Sequence, residues 1–173
     1  IMNKEINQLV TQNLIASEQQ NELEKVVNQF SVKITDEMSD LINIDDPNDP
    51  IKKQFVPSEA ELLMTADELK DPTGDHVHES VRGIVHRYPD RVLLMPIHIC
   101  PVYCRFCFRR EDVSKLKPMS DSEIKTAINY IKTHPEIWEV ILTGGDPLQG
   151  RLLFFQPIFS LLPKKPSEIL THL

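Results

Sequence analysis

The chain reads as an α/β protein: a helical N-terminal region followed by a strand–loop–helix–strand unit. Three observations predict this. Apolar residues recur at helical spacing through the N-terminal third. Two short runs, Val92-Leu93-Leu94-Met95 and Glu139-Val140-Ile141-Leu142-Thr143, have the character of buried parallel strands. Between them lies an amphipathic stretch that starts with Ser120 and Glu123 at capping-box spacing and stops at His134-Pro135.

The elements follow in chain order. Ile6, Leu9, Val10 and Leu14 suggest a first helix. Ser17 and Gln20 have capping-box spacing, and Leu23, Val26, Val27 and Phe30 then mark one face of a second helix. These are read as packing helices without chemistry. Asp45-Asp46-Pro47-Asn48-Asp49-Pro50 is turn chemistry, because proline fixes φ and Asp and Asn bond their own backbone. Short helices are predicted over Ile51 to Phe55 and Glu59 to Met64, and residues 70–80 read as loop. Ile124, Ala127, Ile128 and Ile131 then continue at helical spacing. The two strands on either side of this helix should lie parallel, joined by a right-handed crossover.

Composition bounds the function. The 173 residues suffice for one sizeable core, and a net charge of −7 argues against a general nucleic-acid binder. No stretch is long and apolar enough to span a bilayer, and no secretory signal is visible. The charge is uneven. Residues 81–120 carry Arg82, Arg87, Arg91, Arg105, Arg109, Arg110, Lys115 and Lys117 against three acids, a net +5, so the rest of the chain sums to −12. A cationic centre in an acidic protein suits an anionic ligand, and arginine's planar fork suits phosphate and carboxylate.

The three cysteines, Cys100, Cys104 and Cys107, crowd into one loop after the first strand. An odd number so closely spaced is no disulfide framework, and reduced thiols place the protein in the cytoplasm. Thiolates hold iron in sulfur clusters. Three ligands at C-x3-C-x2-C spacing leave one iron of a cubane open for a small molecule. A zinc knot completed by His98 is the alternative on spacing alone. Gly144-Gly145-Asp146 follows the second strand, where glycines let a backbone approach a ligand and where α/β folds bind ligands.

With its flanks, this cysteine segment resembles the radical S-adenosylmethionine (radical SAM) enzymes of the lysine 2,3-aminomutase family. The resemblance rests on Gly83-Ile84-Val85-His86-Arg87-Tyr88-Pro89-Asp90-Arg91-Val92, the cysteine loop, Phe108-Arg109-Arg110 and Gly144-Gly145-Asp146-Pro147-Leu148. It covers roughly residues 40–148. It implies a 4Fe-4S cluster on Cys100, Cys104 and Cys107, with S-adenosylmethionine on the open iron. It implies that Arg87, Tyr88 and Arg91 hold the phosphate of pyridoxal phosphate, and that Arg109 pairs with the substrate carboxylate. Gly144, Gly145 and Asp146 would contact the methionyl amine of S-adenosylmethionine. Phe106 would pack on the adenine or simply anchor the loop. The activity implied is migration of an amino group from the α to the β carbon of lysine or a lysine-like substrate, free or on elongation factor P. A reductant such as flavodoxin or ferredoxin would supply the electron. Another radical SAM enzyme and a non-catalytic metal-binding remnant are the rival readings.

The domains expected are therefore a helical region over 1–80, the start of a radical SAM partial (βα) barrel over 81–148, and an atypical tail over 149–173. In that tail, apolar residues crowd together and Pro157, Pro163 and Pro166 interrupt them. The change of character at Gln149 leads to the expectation of a frameshift or early stop, with an incomplete and inactive barrel. Lys164 and Lys165 lie outside the matching region, and neither is assigned as a Schiff-base lysine.

Overall fold

The computed structural model describes residues 4–150. The chain divides into two compact units. Among the described residues, one joins residues 4–72 to Pro101–Glu111, and the other joins Thr73–Cys100 to residues 112–150. The expected tail, with Lys164 and Lys165, lies outside the described residues except at its first two positions.

The first unit is helical. Helix α1 (Lys4–Thr11) and α2 (Gln20–Gln29) bury Ile6, Leu9, Leu23, Val26 and Val27 in this core; Leu14 and Phe30, expected on the same helix faces, lie just past the helix ends but in the same core. Ile34, Phe55 and Val56 join it. The entry to α2 differs from the expected box. Ser17–Gln19 is a 3-10 turn, and the Gln19 side chain accepts from the Ala16 N–H at 3.0 Å. A short helix α3 (Asp36–Ser39), capped by Thr35, was not foreseen. Helix α4 (Pro50–Phe55) has proline in its first turn, where the missing N–H costs nothing, and Asp49 accepts from Lys52 N at 2.6 Å. The segment expected as a helix from Glu59 is a 3-10 turn, Glu59–Leu62, with Ser58 and Glu61 as its capping box.

The second unit is a four-stranded sheet in the order β1-β2-β3-β4, covered by one helix. Strands β3 (Arg91–Ile97) and β4 (Glu139–Gly144) are parallel, as expected of a strand–helix–strand unit. Helix α5 (Asp121–Thr133) runs between them in sequence. The Ser120 hydroxyl accepts from Glu123 N, and a Glu123 carboxylate oxygen accepts from Ser120 N. Ile124, Ala127, Ile128 and Ile131 pack on Val92, Leu94, Val140 and Leu142. Alternation then places Arg91, Leu93, Glu139 and Ile141 on the sheet face away from α5.

The sheet is larger than expected. Strand β1 (Glu79–Val81) and β2 (Ile84–Tyr88) add two antiparallel strands ahead of β3, where the sequence reading had loop and a ligand motif. The physical reason is a hairpin. Ile84 and Val85 are buried, and Pro89-Asp90 turns the chain so that Tyr88 pairs with Arg91. On the α5 side, His86 Nδ1 stands 2.7 Å from the Tyr130 hydroxyl and ties β2 to the helix. Among the described residues, no helix is long and apolar enough to cross a membrane.

Candidate functional site

The cysteine loop belongs partly to each unit: Cys100 ends a segment of the sheet unit, while Cys104 and Cys107 lie in the helical unit. None of the three joins a disulfide, and all are of intermediate exposure. Among the described residues, no three His, Cys, Asp or Glu side chains stand together at metal-holding distance. The donor chemistry nonetheless suits a cationic iron cluster. Burial pushes the Cys104 thiol up, and charge on neighbouring Cys107 adds to this. Like charges side by side are costly until a cation neutralises them.

Arg105 fixes the loop within the helical unit. Its guanidinium donates to both Glu61 carboxylate oxygens, at 3.0 and 2.7 Å, and to the Ser31 carbonyl at 2.9 Å. Its backbone N–H donates to the Gln54 carbonyl at 2.8 Å, and Tyr103 N donates to Lys33 O at 2.9 Å. Arg105 and Glu61 are both nearly buried. Arg105→Ala would strand the Glu61 carboxylate, and breaking a buried pair costs about 3–5 kcal/mol. Urea unfolding of this variant should therefore show a loss of about 3 kcal/mol. A loss below about 1 kcal/mol would mean that the pair behaves as a solvated one.

Past Arg105 the loop turns back, Cys107 N donating to Cys104 O at 3.1 Å. Phe106 is 69% exposed, so it is not buried as a loop anchor. It borders a groove of about 330 Å³ with Cys107, Phe108, Met64 and Leu69. The Arg109 guanidinium carbon lies 4.5 Å from the Phe108 ring centroid, and that of Arg110 lies 4.3 Å from Phe30.

In the sheet unit, Gly144-Gly145-Asp146 lies at the C-terminal end of β4, against the strand exit that leads to Cys100. Gly145 N donates to Ile97 O at 2.8 Å, and Asp146 N to Ile99 O at 2.9 Å. Gly144 has φ +105°, a conformation that L side chains rarely adopt. At Gly145, a Cβ would stand 2.3 Å from the Ile99 carbonyl oxygen, so only glycine fits. The Asp146 side chain is turned onto its own backbone, accepting from Leu148 N at 2.9 Å.

The remaining sequence-predicted residues gather at the other end of the strands. Arg87, Tyr88 and Arg91 share the β2–β3 hairpin turn. Arg87 Nη1 donates to Thr73 O at 3.1 Å, and its guanidinium lies 5.8 Å from the Tyr88 ring. Arg91 donates from Nε and Nη2 to Asp90, at 3.1 Å each. Arg91 and the Trp138 indole hold the Asp90 carboxyl at about 2. Arg91 pairs in register with Glu139 and Ile97 with Gly144, so the two ends are separated by the length of the strands, about 17 Å. Sequence reading missed Glu61, Trp138 and Glu139, each of which acts on an arginine distant in the chain.

The radical SAM superfamily profile matches residues 94–156, from inside β3 past the cysteine loop and the Gly-Gly-Asp loop. The chain is a relative of the L-lysine 2,3-aminomutases. It is 43% identical over 129 residues to the enzyme of that name from Methanococcus maripaludis, covering 73% of this chain and 30% of the relative. It is 38% identical over 135 residues to that of Clostridium subterminale, covering 78% and 32%. A putative L-lysine 2,3-aminomutase of Aquifex aeolicus is 36% identical over 152 residues, covering 88% and 40%. The chain thus spans well under half the length of these relatives.

Proposed function

We propose that this chain forms the cluster-binding and S-adenosylmethionine-binding part of a radical aminomutase of the lysine 2,3-aminomutase type. In this reading β3, α5 and β4 are the first βαβ unit of its barrel. The observation that carries the reading is the arrangement at the C-terminal end of β3. The strand exits into three cysteines at C-x3-C-x2-C spacing, none in a disulfide, and the Gly-Gly-Asp loop is hydrogen-bonded to that exit. Ligands of α/β folds bind at this end of parallel strands.

When bound, the cluster with S-adenosylmethionine supplies one-electron chemistry that removes a hydrogen, and pyridoxal phosphate holds the amino group that moves. The chain's own residues bind and orient. Cys100, Cys104 and Cys107 ligate iron and leave one iron open. Gly144 and Gly145 bring backbone close to the methionyl amine, while Phe106 offers an exposed ring to the adenine. Arg87, Tyr88 and Arg91 hold the cofactor phosphate at the far end of the strands. On the sheet face away from α5, Leu93 and Ile141 lie between Arg91 and the C-terminal ends of the strands. Arg109 pairs with the carboxylate of the substrate, a free lysine-like amino acid or a protein lysine. A small flavin or iron–sulfur carrier protein delivers the electron.

Anaerobic reconstitution with iron and sulfide tests the first half of this reading. The expected product has four irons per chain, and its electron paramagnetic resonance signal in the reduced state changes when S-adenosylmethionine is added. A chain that takes up one zinc in preference to iron, or whose cluster signal ignores S-adenosylmethionine, would overturn it.

A further inference from the structure

One charged cluster in the sheet unit is built more heavily than folding requires. Arg91 opens β3 and Glu139 opens β4, and the parallel register sets them side by side. Asp90 takes two N–H groups of Arg91. Glu139 is 5% exposed, and its Oε2 lies 3.3 Å from Arg91 Nη1. That oxygen is buried and has no hydrogen-bond partner among the described residues. The Trp138 indole N–H donates to Asp90 Oδ2 at 2.9 Å, and its ring centroid is 5.5 Å from the Arg91 guanidinium carbon. Backbone N–H groups of Trp138 and Glu139 also point at the Asp90 carbonyl.

Stability alone is a poor reason for this arrangement. A buried carboxylate left without a full hydrogen bond is costly, and apolar residues often serve such a place better. The arrangement does determine where the guanidinium points. Arginine has five N–H donors. Asp90 occupies one edge and Glu139 faces Nη1, so each terminal nitrogen keeps at least one N–H. A pair of terminal N–H groups is what grips an oxyanion in bidentate fashion.

We infer that Asp90, Trp138 and Glu139 are positioning residues that fix the Arg91 guanidinium so that its remaining terminal N–H groups present to a phosphate. This rests on the proposed role of Arg91 as a phosphate anchor. Net charge cannot explain the frame, because two carboxylates against one arginine repel an anion. Positioning and net charge therefore predict opposite outcomes when Glu139 is lost. If the frame positions Arg91, its loss weakens phosphate binding; if only charge matters, its loss strengthens it.

The test titrates the full chain with pyridoxal phosphate, using pyridoxal as the control without phosphate, and follows the bound phosphorus by 31P magnetic resonance. Glu139→Gln keeps an acceptor beside Arg91, whereas Glu139→Ala removes it. The alanine variant should lose about tenfold in affinity, with its phosphorus signal shifted toward that of the free cofactor. The glutamine variant should bind within about twofold of the wild type, since the acceptor is retained. A purely structural role would lower the melting temperature of both without separating their phosphorus signals. If Glu139→Ala binds as tightly as wild type or tighter while Arg91→Ala loses affinity, positioning is wrong and the anchor stands. If Arg91→Ala binds like wild type, or the wild type takes up no pyridoxal phosphate or prefers it no more than pyridoxal, the anchor itself is wrong and the frame falls with it. Should Glu139→Ala fail to fold, Trp138→Phe keeps the ring and removes the N–H to Asp90. It should show the same loss in smaller degree, and unchanged binding there would overturn the inference.

Discussion

Alanine in place of Cys100, Cys104 or Cys107 is expected to abolish iron loading of the reconstituted chain. The chain has three cysteines in all, so each substitution leaves two thiolates and no replacement. A cubane held at two corners would expose two irons to solvent and buffer thiols, and it is expected to be lost on gel filtration. The measurement is iron and sulfide content per chain after anaerobic reconstitution, with the visible absorbance of the cluster as a second readout. Each single variant should lose both. Folding should be little affected, because the thiols are half-exposed and join no disulfide. The triple variant decides the matter: iron content and absorbance equal to wild type would show that other groups hold the metal. Retention of one zinc by the triple variant would implicate His98 and neighbouring acids instead.

Gly145→Ala is expected to be the most damaging change of a single methyl group. Its Cβ would stand 2.3 Å from the Ile99 carbonyl oxygen, 2.5 Å from the Ile99 nitrogen and 2.8 Å from the Ile99 carbonyl carbon. These are backbone atoms, so no side chain can swing away. Relief requires the loop after β4 to withdraw from the exit of β3, which breaks the bonds from Gly145 N to Ile97 O and from Asp146 N to Ile99 O. Overpacking typically costs 1–3 kcal/mol, and with two backbone bonds lost the expected destabilisation is about 3 kcal/mol or more. Denaturant unfolding reads this directly. The same variant should also lose the response of the reduced cluster to S-adenosylmethionine, because the loop no longer lies against the strand that leads to Cys100. Stability within about 0.5 kcal/mol of wild type would show that the approach of the two segments is looser than described.

The sequence made some parts of this fold legible and hid others for physical reasons. Helix α5 and strands β3 and β4 announced themselves through apolar spacing and a complete capping box, signals that are local and strong. Strands β1 and β2 did not. Glu79 and Ser80 are exposed, and only Ile84 and Val85 of β2 are buried, so no alternation long enough to recognise exists. The cap of α2 was misplaced because Ser17 begins a 3-10 turn whose N-terminus is closed from Gln19. At the site, the thiols and the Gly-Gly-Asp loop were visible as contiguous motifs. The groups that hold the arginines were not. Glu61 reaches Arg105 across 44 positions and Trp138 reaches Asp90 across 48, and no spacing rule connects residues so far apart.

The parallel pairing of β3 with β4 also makes this region intolerant of changes in length. Arg91 and Ile97 are opposed by Glu139 and Gly144 along one ladder, with a single irregularity between Leu94 and Ile97. Successive residues of a strand point to opposite faces and advance it by about 3.3 Å. Deleting one codon within Val92–Leu94 would therefore do more than shorten a spacer. It would turn Arg91 toward the helix-covered face or, if the ladder slipped instead, carry the cysteine loop out of step with the glycine loop. Substitutions here can be graded by size and charge, but a one-residue insertion or deletion removes one end of the site or the other.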